Sequence, residues 1–231
     1  MIRILFQGDS ITDGGRLRDP NRRHVIDHQI GHSYVFSIAG TLGRRFPGKY
    51  CIINRGISGD SVEKITERWQ TDTLDENPDI LSILLGINGN GFFDGEFPEG
   101  VDVNLNSFEK SYKNLLSVSR KHNPNLKIVI IEPFYLPNIQ KDEEKFKKFL
   151  PIFLQKQELV QQIAKEFDAY FVPVQKKLEQ LVTETIAVFP ENQCITNIYA
   201  YWLFDGVHPT APMHSFLADL WLDAAKDILY S

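Results

Sequence analysis

Four short sequence blocks, spread between residues 8 and 208, carry the side chains that could perform chemistry. Ser10 follows Gly8 and Asp9 in "QGDS", and His208 lies three residues after Asp205 in "FDGVHPT". A hydroxyl, a base that takes its proton and a carboxylate that orients the base are what a serine nucleophile needs for acyl transfer. These residue types and their order therefore predict attack by Ser10 on an acyl carbon.

Acyl transfer also needs hydrogen-bond donors for the oxyanion, and the remaining blocks offer them. Gly59 in "NRGISGDS" would present a backbone N–H that no side chain obstructs, and Asn88 in "GIN" would offer its side-chain amide. The N–H of Ser10 itself follows a predicted strand and opens a helix or turn, where backbone N–H groups lack partners. These three residues are the candidates for the oxyanion hole, although Gly59 and Asn88 would also fit ordinary turns.

These residues have other structural interpretations as well. Ser10 could cap a helix, since serine is favoured at that position. Asp205 could be a turn residue before a glycine, with a backbone carbonyl orienting His208 instead. Asp9 is predicted to be a buried, hydrogen-bonded structural carboxylate.

The elements that must position these blocks alternate along the chain. Runs that are apolar almost throughout predict strands over residues 2–8, 50–56, 79–86, 126–133 and 169–174. Amphipathic spacing predicts helices over residues 33–46, 61–74, 105–122, 142–167 (interrupted by Pro151), 174–188 and 211–230. Such strands and helices indicate a parallel sheet covered on both faces, with the polar blocks at the edge where the strands end.

In this order and context the blocks resemble the SGNH (GDSL-type) hydrolase superfamily. Its Gly-Asp-Ser block matches the segment ending at Ser10, its second-block glycine matches Gly59, and the asparagine of its Gly-x-Asn block matches Asn88. Its Asp-x-x-His block matches Asp205 and His208. The resemblance implies that Ser10, Asp205 and His208 form a catalytic triad, and it implies no cofactor.

The resemblance extends over almost the whole chain and therefore also implies the fold. We expect an α/β protein, a flavodoxin-like three-layer α/β/α sandwich with a central, mainly parallel five-stranded sheet, as a single domain over residues 1–231. An ordinary α/β-hydrolase would have Gly-x-Ser-x-Gly around the nucleophile, whereas the residues from Gly8 to Thr12 do not fit that pattern.

Longer patches, among them "GDSITDGGR", "NRGISGDSVEKITERWQTD" and "DGVHPT", are similar to bacterial acetylxylan and carbohydrate acetylesterases of this superfamily. The similarity implies a short, mainly acetyl, ester on a small molecule such as an acetylated oligosaccharide, and it is compatible with a homo-oligomer. A lysophospholipase or acyl-thioesterase with the same triad stays open. So does a non-catalytic carbohydrate-binding protein, because Gly89 replaces the aspartate that usually follows the third-block asparagine.

Aromatic residues lie beside two of the blocks. Residues 199–204 ("YAYWLF") precede the Asp-x-x-His block, and Phe92 follows the Gly-x-Asn block. Core packing is their ordinary interpretation. Phe92, Trp202 and Phe204 are the candidates for a hydrophobic wall or sugar platform that binds substrate.

Three histidines, His24, His28 and His32, are spaced four residues apart. On one helix they would share a face and could bind a metal ion. Because Gly31 and Pro20 interrupt the segment, we predict a polar loop near the site and no metal.

Composition limits the classes of partner. The chain has 231 residues, 42% of them hydrophobic, and a formal net charge of −5. This acidic balance argues against nucleic acid, and we find no basic stripe, long apolar span or secretory signal that would indicate a membrane. The two cysteines, Cys51 and Cys194, form no disulfide framework, and Cys51 is predicted to be a buried strand thiol. We expect a cytoplasmic protein that binds neither nucleic acid nor membrane.

Overall fold

The computed structural model describes residues 1–19, 26–89, 105–137, 143–188 and 197–230. Five strands lie in these ranges: β1 (Ile2–Gly8), β2 (Tyr50–Asn54), β3 (Ile80–Leu84), β4 (Lys127–Ile131) and β5 (Tyr170–Val172). They form one sheet in the order β2-β1-β3-β4-β5, and every neighbouring pair is parallel. This is the flavodoxin-like strand order, in which the direction of winding reverses between β1 and β3. The predicted fold class is confirmed.

The described residues contain ten α-helices and one π-helical turn (Gln70–Leu74). The α-helices are α1 (Ser10–Asp13), α2 (Ile26–Ile30), α3 (Tyr34–Arg45), α4 (Val62–Glu67), α5 (Leu105–His122), α6 (Glu143–Glu166), α7 (Gln175–Val188), α8 (Ile198–Trp202), α9 (Ala211–Ala224) and α10 (Lys226–Leu229). The helix predicted over residues 61–74 is divided into α4 and the π-helical turn, and the one over residues 211–230 into α9 and α10.

One predicted interruption is wrong, because α6 continues through Pro151. Aromatic side chains on both sides of the proline are buried, and the rings of Phe149 and Phe153 stack with their centroids 5.2 Å apart. This packing offsets the backbone hydrogen bond that a proline inside a helix removes.

The sheet is covered on both faces because side chains alternate in direction along each strand. In β1, Ile4 and Phe6 join a core cluster with residues of α3 and α9, whereas Leu5 joins the opposite cluster with residues of α4, α5 and α6. Trp221 of α9 is fully buried, packs 5.2 Å from the Phe6 ring and donates its N–H to Ser82 Oγ at 2.9 Å. Helices thus lie on both sides of the sheet and leave its carboxyl edge to the loops.

Three further expectations concern the chain as a whole. Cys51 is only half-buried, contrary to the prediction, because β2 is an edge strand with a neighbour on one side; Cys194 lies outside the described residues. No helix in the described ranges is long and apolar enough to cross a membrane. That residues 1–231 form a single domain stays a prediction.

Candidate active site

Ser10 is the first residue of α1, immediately beyond the end of β1. The residue before it, Asp9, caps this short helix, because its carboxylate accepts the backbone N–H of Ile11 at 3.0 Å. Asp9 is buried, as predicted, and burial raises the pKa of its carboxyl to about 7. The capping role that the sequence left open for Ser10 thus belongs to its neighbour, and the Ser10 side chain is available for another contact.

That contact is with His208, 198 residues further along the chain. Ser10 Oγ lies 2.8 Å from His208 Nε2, and His208 Nδ1 lies 2.7 Å from Asp205 Oδ2. The other oxygen of Asp205 accepts the backbone N–H groups of Val207 and His208 at 3.1 and 2.8 Å. The carboxylate itself, not a backbone carbonyl, orients the imidazole. In this geometry the histidine can take the proton of the serine.

The electrostatics of this pair keep the carboxylate ionised. Burial acts to raise the pKa of Asp205, but hydrogen bonds from the ring and backbone of His208 outweigh it and lower that pKa to about 2. The hydrogen bond from Asp205 in turn raises the pKa of His208, although burial opposes this effect. Asp205 is therefore charged at neutral pH and can stabilise the imidazolium that forms when His208 accepts a proton.

The loop between α8 and α9 that carries this pair is closed at its base. Leu203 and Pro209 form an isolated antiparallel bridge, and Gly206 turns the chain with a φ of 90°, which favours glycine. The backbone N–H of Leu136, in the segment after β4, donates to Gly206 O at 2.8 Å. The loop is thereby fixed to the carboxyl edge of the sheet.

The loops with the predicted oxyanion donors contact each other and the end of β1. Asn88 donates one amide N–H to the backbone oxygen of Asp60 at 3.0 Å, and its other amide N–H has no acceptor among the described residues. Gly59, with a φ of 81°, donates its N–H to no group in the described part of the chain. The N–H of Ile57 donates to the carbonyl of the last residue of β1 at 3.0 Å, which holds this loop beside Ser10. Both loops thus offer hydrogen-bond donors at the carboxyl edge of the sheet, where Ser10 lies.

Two buried polar side chains that the motifs did not indicate hold these loops together. The Asp13 carboxylate accepts the backbone N–H groups of Ser58 at 2.9 Å and Arg16 at 3.1 Å. The Asn54 amide donates to the backbone oxygen of Thr12 at 2.7 Å and to the last residue of α2 at the same distance. A polar residue at the end of an apolar run, such as Asn54, is a signal that could have suggested this role.

The aromatic candidates differ in their surroundings. Phe204 is 59% exposed, and its ring stacks on the His208 ring with centroids 5.5 Å apart and an angle of 19°. Trp202 is only 9% exposed and belongs to the core cluster of α9, as its core-packing interpretation requires. Phe92 lies outside the described residues. Of the two candidates in the described residues, Phe204 is the one whose ring contacts His208. That Phe92, Trp202 or Phe204 contacts the substrate stays a prediction.

The histidine-rich segment does not form one helix. His28 lies on the short helix α2, contrary to the predicted loop, and Gly31 ends that helix with a φ of 76°, so that His32 lies beyond it. Both histidines line a cavity of about 590 Å³, together with Arg16 and other residues. Among the described residues, no group of three or more His, Cys, Asp or Glu could hold a metal ion; His24 lies outside them.

Known proteins of one family are similar to this chain over most of its length. The model of the GDSL-like lipase/acylhydrolase family matches residues 6–216. An acetylxylan esterase from Geobacillus stearothermophilus is 30% identical over 224 residues, which are 95% of this chain and 92% of that protein.

Solved structures share the fold over nearly the whole chain. A protein of Parabacteroides merdae described as a GDSL-like lipase superimposes with a TM-score of 0.80 at 33% identity, covering 97% of this chain and 95% of its own. An acetylxylan esterase from Geobacillus stearothermophilus gives a TM-score of 0.73 at 27% identity, covering 96% and 93%. Its variants described as catalytic mutants replace a serine, an aspartate and a histidine, the last two three positions apart. The chain belongs to the GDSL-like lipase/acylhydrolase family and is a carboxylic ester hydrolase.

Proposed function

We propose that this hydrolase uses Ser10 as its nucleophile, His208 as its general base and Asp205 as the residue that orients and stabilises the histidine. The observation that carries the proposal is the 2.8 Å contact between Ser10 Oγ and His208 Nε2, with Asp205 at the opposite nitrogen of the ring.

The reaction would proceed in two steps. His208 accepts the proton of Ser10 while Oγ attacks the ester carbonyl, and the oxyanion binds the N–H groups of Ser10 and Gly59 and the Asn88 amide. The His208 imidazolium then protonates the departing alcohol, which leaves the acyl group on the serine. Water then gives a proton to the same imidazole as it attacks the acyl carbon. The bond from that carbon to Ser10 Oγ breaks, the imidazolium returns the proton to Oγ, and the free acid is released.

The substrate we propose is a short-chain, mainly acetyl, ester of a carbohydrate. Support comes from the acetylxylan esterase that is 30% identical over most of the chain. The exposed ring of Phe204 beside His208 offers an apolar surface on which a sugar could stack. A cytoplasmic location and a homo-oligomer stay predictions.

Replacing the nucleophile tests the mechanism. We expect Ser10→Ala to lower kcat on p-nitrophenyl acetate by at least about 10³-fold, because the hydroxyl that accepts the acyl group is removed. A fluorophosphonate probe should label the wild-type protein and not this variant. Ser117→Ala is the matched control and should leave kcat unchanged. This serine is exposed on α5, and among the described residues its side chain bonds only to the Lys113 carbonyl one turn earlier. Normal turnover in Ser10→Ala would exclude the mechanism.

A series of esters tests the acyl group and separates the lysophospholipase and acyl-thioesterase alternative. We expect kcat/KM to fall steeply from acetyl to decanoyl p-nitrophenyl esters, and acetylated xylo-oligosaccharide to release acetate. A rise with chain length would exclude the acetyl preference and favour a lipid or thioester substrate.

A further inference from the structure

A buried lysine outside the triad contacts the backbone of a proposed oxyanion donor. Lys156 of α6 is only 2% exposed, and its Nζ lies 3.2 Å from Asn88 O and 3.5 Å from Gly89 O. The ammonium also lies 4.8 Å from the centroid of the Phe108 ring. Burying an ammonium is costly unless hydrogen bonds compensate. Two of the contacts that compensate this one lead to the turn after β3.

This turn, residues 86–89, contains two glycines in conformations that other residues rarely adopt. Gly86 and Gly89 have φ values of 138° and 73°, and Gly89 offers no side chain that could make an ordering hydrogen bond. The side chain of Asn88 donates to the Asp60 carbonyl at 3.0 Å, and this bond does not involve the backbone oxygens of Asn88 and Gly89. Lys156 restrains the turn at two consecutive carbonyl oxygens.

We propose that Lys156 is a positioning residue for the oxyanion hole, an inference that rests on the proposed function. Its ammonium holds the carbonyl groups of Asn88 and Gly89, so that the remaining N–H of the Asn88 amide points at the oxyanion of the acyl-transfer step. Lys156 itself touches neither substrate nor oxyanion and acts only through Asn88.

The state of the lysine at neutral pH agrees with this role. Burial lowers the pKa of Lys156 to about 8, and the negative charge of Glu63 opposes the effect. The ammonium therefore remains mostly protonated at pH 7 and keeps its three N–H donors.

A double-mutant cycle tests the inference on p-nitrophenyl acetate. Lys156→Met keeps an unbranched apolar side chain that is shorter by one atom and can still pack on Phe108, but it removes the donors. We expect it to lower kcat by about 10- to 100-fold with KM within about twofold, because the misplaced donor acts only in the transition state. Asn88→Ala should lower kcat by about 10²- to 10³-fold. Adding Lys156→Met to Asn88→Ala should change kcat by less than about twofold, because the donor that it positions is already absent.

Controls separate positioning from stability. Lys156→Arg keeps a charged donor and should retain most of the wild-type kcat. Lys113→Met should leave kcat unchanged, because the partners of this lysine on α5, Glu109 and Glu166, lie outside the site. If Lys156→Met does not fold, Lys156→Gln takes its place in the cycle. Failure of both to fold would make Lys156 a folding determinant and overturn the positioning role.

Two kinetic outcomes would also overturn it: an unchanged kcat in Lys156→Met, or an equal loss of kcat with and without Asn88. Failure of the proposed function would appear elsewhere, as turnover in Ser10→Ala, whatever the result of the cycle.

Discussion

The imidazole of His208 is held by a carboxylate whose two oxygens have different partners. Asp205 Oδ2 faces Nδ1 of the ring at 2.7 Å, and Oδ1 accepts two backbone N–H groups of the same loop. The ring contact places the proton on Nδ1 and leaves the lone pair of Nε2 toward Ser10, which is the tautomer a general base requires. The backbone contacts keep the loop folded around the carboxylate, so one residue fixes both the ring and its support.

Asp205→Asn separates these two tasks, because an amide oxygen can still accept the backbone N–H groups but carries no charge. We expect kcat to fall by about 10²- to 10⁴-fold, since the neutral amide no longer fixes the tautomer or stabilises the imidazolium. Asp205 raises the pKa of His208, so its loss should lower that pKa. The acid limb of the kcat/KM profile should therefore move to lower pH.

The matched control is Asp223→Asn, which neutralises an exposed carboxylate on α9 that pairs only with Lys226 among the described residues. It should leave both kcat and the acid limb unchanged. An acid limb that stays in place or moves to higher pH in Asp205→Asn would show that this carboxylate does not control the protonation of His208.

The residues that could be predicted from sequence are those whose type the chemistry dictates. A nucleophile, a base and its carboxylate have few alternatives, and the structure brings Ser10, His208 and Asp205 into contact. Lys156 could not be predicted, because its partners are backbone oxygens 68 and 67 residues away, which leave no trace in the pattern of side chains. Asp13 was missed for the same reason, since it accepts backbone N–H groups.

At the scale of elements, the loops that follow β1, β2 and β3 depend on conformations that only some residues adopt. Gly59 has a φ of 81°, and Gly48, in the turn before β2, has a φ of 78°. A Cβ atom added at either position would meet nothing within 4 Å. Alanine would therefore cause similar backbone strain at both positions and no steric clash at either. The two positions differ in that Gly59 lies at the carboxyl edge of the sheet and Gly48 does not.

Gly59→Ala and Gly48→Ala form a matched pair. We expect each to lower the free energy of unfolding by about 1 kcal/mol, because an alanine is strained in the left-handed region. Only Gly59→Ala should lower kcat, by about 10- to 100-fold, since relief of the strain turns its N–H away from the oxyanion. Urea unfolding and turnover of p-nitrophenyl acetate measure the two effects. Equal kcat in the two variants would remove Gly59 from the oxyanion hole.

The elements that sequence patterns predicted well are those whose partners lie on the same helix or strand. The boundaries of α5 were predicted correctly because its apolar face and its polar flanks are both local. The π-helical turn after α4 was not, because a contact from another element accompanies it. Gln7 of β1 donates to the backbone oxygen of Asp72 and to Thr73 Oγ1 at 3.1 and 2.7 Å. A side chain that donates a hydrogen bond to a helix carbonyl disturbs the regular backbone hydrogen bonds of that helix. The periodicity of the sequence does not show such a contact.

At the scale of the whole molecule, the site requires both ends of the chain to pack on one sheet. Ser10 belongs to the first turn after β1, whereas His208 lies three residues before the start of α9. That helix is anchored by Trp221, whose buried indole packs on Phe6 and donates to Ser82 Oγ of β3 at 2.9 Å. The position of the base relative to the nucleophile therefore depends on the same contacts that stabilise the core.

Trp221→Phe and Ser82→Ala test this anchor. We expect Trp221→Phe to lower the free energy of unfolding by about 2–3 kcal/mol, because it leaves a small cavity and removes the N–H that satisfies the serine. Ser82→Ala should cost about 1–2 kcal/mol, and the double variant should cost less than the sum by about 1 kcal/mol, because one hydrogen bond is counted in both single changes.

Since neither side chain contacts the site, kcat in the absence of denaturant should stay within about threefold of wild type. In urea, activity and circular dichroism should be lost together at a lower midpoint, as they do when the sheet and the site unfold as one unit. Loss of activity well before the dichroism transition would show that the His208 loop comes away from a folded sheet, and would contradict both this anchor and the prediction of one domain.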